Sequence, residues 1–186
     1  MKRKYHFFLA LIIFLMLSAT GCNAAPAYST FHPQPESLIR LEFEYPSDWV
    51  FIQGYGDFFE FTNDDRFPGV TFYVSEFDDK RQRKEYLDNR IQGSLDFGIN
   101  RDAVVRYEPV IMDGYSGVHI FLDIPVRPFG DITEPWIQEV YFLLVGDRLI
   151  YELLFNIDED QRNGEFGRGF DHLIETLKVV DDPYAP

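Results

Sequence analysis

Residues 136–155, WIQEVYFLLVGDRLIYELLF, constrain this chain more than any other stretch. Gly146-Asp147 interrupts two apolar runs in the manner of a two-residue hairpin loop with glycine first. A loop of that length sets Leu144 opposite Leu149, Phe142 opposite Tyr151 and Val140 opposite Leu153, an almost wholly apolar face. The other face pairs Leu143 with Ile150, Tyr141 with Glu152 and Glu139 with Leu154, and is covered only in part. Strands with so little polar surface belong at the centre of a sheet, not at its edge.

Further strand signals flank one helical stretch. LEFEY alternates Leu41, Phe43 and Tyr45 with Glu42 and Glu44, one dry face and one wet. WVFI, FFEFT and VTFYVSEF follow, separated by glycines, Asn63-Asp64-Asp65 and Pro68-Gly69, which predicts an antiparallel meander. A helix is expected from Lys80 to Leu95, with Leu87, Ile91 and Leu95 on a narrow apolar stripe and Asp78 and Asp79 as caps. AVVRYEPVIM, the turn DGYSG and VHIFLDIPV then lead to the central hairpin. The clearest amphipathic helix closes the chain, with Phe166, Phe170, Leu173, Ile174 and Leu177 recurring at helical spacing. Gly167 and Gly169 weaken its first turn by about 1 kcal/mol each relative to alanine. Together these elements predict an α+β fold, an antiparallel β-sheet of about six or more strands flanked by two main helices.

Ahead of the strands stands an export signal over residues 1–21. Lys2, Arg3 and Lys4 precede an apolar run from Phe7 to Leu17 and then Ser18, Ala19, Thr20 and Gly21. The run is too short to span a bilayer, which takes about 20 apolar residues. Cys22 is the single cysteine, and Ala19-Thr20-Gly21-Cys22 resembles the bacterial lipobox. That resemblance implies a diacylglyceryl group on the Cys22 sulfur and cleavage just before it, with two or more acyl chains giving stable anchoring where one does not. The Pro-, Ala- and Ser-rich residues that follow read as a tether over 22–38, leaving a domain over 39–182 and a tail over 183–186. Removing residues 1–21 takes away Lys2, Arg3 and Lys4 and no acid, so 14 basic side chains face 31 acidic ones, a net charge of −17. A field of that sign repels nucleic acid, so no nucleic-acid partner is expected.

Three short stretches carry a further resemblance. YPSDW (45–49) after the first strand, DGYSG (113–117) in a mid-chain turn and FDHLIETLKVV (170–180) at the close are similar, in order and spacing, to the PsbP-like domain. The resemblance covers 39–182 and implies an antiparallel sheet with helices on its faces, in proteins that mostly act as accessory or assembly factors for membrane complexes. It supplies no catalytic residue. Read physically, Trp49 is a core side chain and the DGYSG glycines permit a hairpin turn.

Signals for chemistry are weak by comparison. Gly114-Tyr115-Ser116-Gly117 is not a nucleophile elbow, and GSLDFG lacks the spacing of a phosphate loop. His32, His119 and His172 are isolated in sequence, and His119 reads as a hydrogen-bonded strand residue. NIDEDQRNG fails the calcium-loop spacing after Asp158 and Asp160 and reads as a helix-capping turn. No catalytic residue, metal or cofactor is expected, and the chain is read as not an enzyme. Two segments are candidates for contact with a protein partner. One is the long loop VRPFGDITEPW, with Arg127, Phe129, Asp131, Glu134 and Trp136, a mix suited to recognition in which Trp136 alternatively folds back on the sheet. The other is the basic cluster Lys80, Arg81, Arg83 and Lys84, alternatively a solvated helix face paired with nearby acids. The expected protein is thus an extracytoplasmic lipoprotein, held to a membrane through its N-terminal lipid, that binds a protein partner. The alternative is a receptor for a small soluble ligand in a pocket between sheet and helix.

Overall fold

A computed structural model of the chain describes residues 27–33, 37–53, 58–62, 68–125 and 134–180. The apolar hairpin does lie near the middle of the sheet. Its strands, β8 (Trp136–Val145) and β9 (Leu149–Asp158), sit inside a seven-stranded antiparallel sheet completed by β3 (Val50–Gln53), β4 (Phe58–Thr62), β5 (Gly69–Glu76), β6 (Val104–Met112) and β7 (Tyr115–Ile124). The strand order is β3-β4-β5-β9-β8-β7-β6.

The register differs by one residue from the sequence reading. Val145 pairs with Leu149, Leu144 with Ile150 and Leu143 with Tyr151, because the loop holds three residues, Gly146, Asp147 and Arg148, and begins with Gly146 at φ 53°. The shift moves Glu139 opposite Phe155 and Glu152 opposite Phe142. The two acids therefore face opposite sides of the sheet.

A small sheet, β1-β2-β10, lies on one side together with the terminal helix. Its strands are β1 (Tyr28–Phe31), β2 (Leu41–Pro46) and β10 (Lys178–Val179). β2 is the LEFEY stretch, which thus leaves the expected meander, and β1 falls inside the stretch read as tether. β1 holds its place because Phe31 stacks on Phe43 and Phe59, with ring centroids 5.0 and 4.7 Å apart. The helix α2 (Glu165–Thr176) buries Phe166, Phe170 and Leu173 against the same face, with Phe170 stacked on Phe155 at 4.0 Å. Each such side chain contributes about 1.5–3 kcal/mol on burial. The turn ahead of α2 is a short 3₁₀ segment, Glu159–Gln161, and the helix starts from Gly164, so Asp158 and Asp160 do not cap it.

On the opposite face α1 (Lys80–Ile99) covers Ile120, Leu122, Val140, Phe142 and Ile150. It runs one turn beyond Leu95 and opens on Asp79, whose Oδ1 accepts from the amides of Arg81 (2.8 Å) and Gln82 (2.9 Å). Its stripe of Leu87, Ile91 and Leu95 is only half-buried, so α1 is a looser cover than α2.

The DGYSG turn is a two-residue hairpin joining β6 to β7, with Asp113 at φ 47° and Gly114 at φ 81°. Two positive values are what the favoured hairpin turn requires. Gly169 has a different reason: a Cβ there would come within 2.6 Å of Pro46 Cγ and 2.9 Å of Trp49 Cζ2, while Trp49 stacks on Phe166 at 4.2 Å. The glycine lets α2 settle on the YPSDW turn. Gly169→Ala is therefore expected to cost about 1–3 kcal/mol, as overpacking against rigid rings does. Gly93→Ala, in mid-α1 with nothing within 4 Å of the added methyl, should gain about 0.5–1 kcal/mol. Urea midpoints of the two variants check both signs.

Candidate functional site

Two buried carboxylates mark the polar interior. Glu139, only 2 % exposed, points to the α2 face. It accepts from Arg162 Nε at 2.7 Å, His119 Nε2 at 2.9 Å and the Tyr141 hydroxyl at 3.2 Å. Arg162 reaches on to Asp171 of α2 with both terminal nitrogens, at 2.7 and 3.2 Å, and His119 lies flat on Tyr141 at 4.1 Å. Burial alone would raise the Glu139 carboxyl, but the His119 N–H and the Arg162 guanidinium outweigh it and hold the group below the ordinary glutamate range. Burial and the Glu139 charge push the Tyr141 phenol upward, so it stays a neutral donor. On the other face Glu152, 4 % exposed, is gripped by Arg90 of α1 through Nη2 and through Nε at 3.1 Å. That hydrogen bond is the main reason the Arg90 pKa rises. Both networks tie a covering element to the central hairpin.

The basic cluster is largely engaged. Lys80 pairs with Asp147 at 2.7 Å and Arg83 Nη1 donates to the Gly146 carbonyl at 2.6 Å, so both fasten α1 to the β8–β9 turn. Lys84 pairs with Asp88 at 2.5 Å within the helix, and Arg81 is exposed. In the long loop, Arg127, Phe129 and Asp131 lie outside the described residues, as does Cys22. Glu134 is exposed. Trp136, 2 % exposed, packs edge-on to Phe97 of α1 at 6.1 Å and offers no surface to a partner. The histidines have separate partners: His32 pairs with Glu42 and His172 with Glu44, each at 2.8 Å, while His119 meets Glu139 and Glu108. Among the described residues no group of three or more His, Cys, Asp or Glu could hold a metal ion, and no helix is long and apolar enough to cross a membrane.

Two surface features among the described residues bear on function. Beneath α1 lies an open cleft of about 300 Å³, lined by Asn89, Gly93, Ser94, Gln138 and the Arg90–Glu152 pair. At the sheet's outer edge β6 has no neighbour beyond it among the described residues, and it exposes Val104 (58 %), Tyr107 (53 %) and Ile111 (78 %). Sequence alone places this strand but gives it no contact role. Its signal is Pro109 within a strand-forming run, since proline in a strand belongs at an edge.

Solved structures share this arrangement. The solution structure of cyanobacterial PsbP (CyanoP) from Synechocystis sp. PCC 6803 superposes with a TM-score of 0.54 at 15% identity, over 86% of this chain and 96% of that one. The fold is PsbP-like. LpqN of Mycobacterium tuberculosis, described as involved in cell envelope biogenesis, aligns with a TM-score of 0.50 at 9% identity, over 83% of this chain and 91% of its own. A crystal structure from Bacteroides thetaiotaomicron VPI-5482 aligns at 0.46 and 14% identity over 77% of this chain, which spans only 46% of that protein's length. No protein-family model and no curated protein matches the chain. The resemblance first seen in YPSDW, DGYSG and FDHLIETLKVV thus extends to the PsbP-like fold itself, an antiparallel sheet with a helix on each face.

The Glu139 network has a pH signature. A carboxyl whose folded pKa lies below its unfolded value contributes stability above the unfolded value, and that contribution is lost as pH falls through the folded one. Unfolding free energy is therefore expected to drop as pH descends through and below the ordinary glutamate range. Glu139→Gln, which removes the charge that Arg162 and His119 face, should cost about 3–5 kcal/mol at neutral pH and flatten that acid limb. Urea titrations at a series of pH values read both.

Proposed function

We propose that this chain is a lipid-anchored extracytoplasmic protein whose PsbP-like domain is a non-catalytic protein-binding or accessory module, with β6 as its binding edge. The observation that carries the reading is the strand itself: nine residues at the outside of a sheet, with three large apolar side chains turned to solvent. A sheet edge offers a partner main-chain hydrogen bonds for affinity and alternate side chains for specificity. The two buried carboxylates, in contrast, are occupied in joining α1 and the α2 segment to the hairpin, a structural use that supports the non-catalytic reading.

Anchoring rests on residues 1–22, read as an export signal followed by a lipidated cysteine. β1 begins at Tyr28, so the stretch from Cys22 to Ala27, even at full extension, reaches at most about 18 Å. A lipid on Cys22 would keep the domain close against the bilayer. An accessory role at the envelope fits what is described for LpqN, although fold alone does not assign function. The cleft beneath α1 favours a second reading, a receptor for a small ligand, since its volume is at the lower end of ligand sites.

Three variants of the full chain test this. Cys22→Ser should move the protein from the membrane to the soluble fraction, with loss of a diacylglyceryl-sized mass. Ile111→Asp should leave location and fold intact while cutting photocrosslinks from a probe at Tyr107 by about tenfold or more, as loss of an interface anchor does. If Gly93→Trp, which fills the cleft, abolishes function in cells while Ile111→Asp is silent, the ligand reading replaces the edge reading.

A further inference from the structure

The edge reading leaves open what lies against β6, and the strand's own sequence points to an occupant. Met112 and Tyr115 flank the two-residue turn, so they form a hydrogen-bonded pair, and the pairs alternate from there. Val110, Glu108, Arg106 and Val104 thus direct their N–H and C=O groups inward to β7. Val105, Tyr107, Pro109 and Ile111 direct theirs outward. Pro109 stands on the outward set and lacks an N–H, so any strand added here meets one missing donor at that point.

We propose, building on the edge reading, that β6 pairs antiparallel with β6 of a second copy of this chain, about a two-fold axis through Tyr107. In that register Tyr107 meets its own mate, and their N–H and C=O groups bond reciprocally. Val105 donates to the Pro109 carbonyl of the other copy, a bond that needs no N–H from the proline. On one face Arg106 stands directly opposite Glu108 and, by symmetry, Glu108 opposite Arg106. Val104 meets Val110, and Ala103 meets Ile111. Every exposed apolar residue of the edge finds an apolar partner, and both charges find an opposite one. The neighbouring registers do not: sliding by one pair sets Arg106 against Arg106 or Glu108 against Glu108.

Both charged side chains already lie over the face they would use. Arg106 sits 4.4 Å above the Phe121 ring, and Glu108 approaches His119 Nδ1 at 3.3 Å. Glu108 remains 65 % exposed and able to take a second cation. A continuous sheet formed this way keeps equivalent faces on the same side. The β1-β2-β10 layers of both copies, and the N-terminal segments entering them, would then lie on one side of the joined sheet, as two chains anchored in one membrane require.

The test uses the full chain in its own membranes. A Tyr107→Cys substitution places two thiols on Cα atoms about 5.5 Å apart, within disulfide range. The chain with Tyr107 intact is the control for Cys22. Oxidation is expected to give an adduct of twice the chain mass. Adding Arg106→Glu, or separately Glu108→Arg, sets like charges opposite one another and should lower the adduct by about tenfold or more. Coexpressing the two charge variants should restore it, because position 106 of either chain then faces the opposite charge at position 108 of the other. No adduct, an adduct indifferent to Arg106→Glu, or no recovery on coexpression would overturn the proposal. Crosslinks from β6 to a different protein, with no doubled chain, would overturn self-pairing and leave the binding-edge reading standing.

Discussion

Burying both faces of the β8–β9 hairpin at once obliges the chain to supply two covers, and each cover must also answer a charge. Glu139 lies in the face beneath α2 and Glu152 in the face beneath α1. A carboxylate taken out of water costs several kcal/mol unless a cation and well-placed donors meet it. Arg162 meets the first and Arg90 the second. Each arginine comes from the covering side, so a cover placed one turn off would strand a buried charge. The pairs restrict where the helices sit more than they add net stability.

The same constraint explains which parts of the fold were legible from sequence. The hairpin's central place, the amphipathic α2 and the Asp79 cap follow from apolar runs and spacing. The register did not, because alternation sets register only where one face is wet, and here both are dry. Glu139 and Glu152 read as positions on a half-covered face, and nothing in the spacing of Arg90 or Arg162 ties either arginine to them. β1 was hidden in a stretch whose prolines suggested a linker; pairing with β2 and the entry of Phe31 among Phe43 and Phe59 hold it.

Of the three stretches that carried the PsbP-like resemblance, DGYSG bonds directly to the closing one and YPSDW packs on the turn of α2 just before it. Pro46 and Trp49 seat Gly169 and Phe166 of α2. Asp113 Oδ2 accepts from the Val179 amide at 2.8 Å, and β10 pairs back onto β2. Segments far apart in the chain close the fold at its terminal helix, which is why their order and spacing carry more than any one of them does. The candidate site was less legible. Trp136, which the sequence leaves open between recognition and packing on the sheet, is core, and Lys80, Arg83 and Lys84 of the basic cluster are ties within the protein. The exposed edge announced itself only through Pro109, a backbone signal rather than a chemical one.

An edge that binds a partner differs from a bare edge in its outward amides. Hydrogen exchange on the full chain in native membranes, resolved at β6, reads this most directly. If the edge is occupied, the amides of Val105, Tyr107 and Ile111 exchange as slowly as those of Arg106 and Glu108, which bond to β7. If the three outward amides exchange at the rate of open loops while their inward neighbours stay protected, β6 is an unpartnered edge and the binding role proposed for it is wrong.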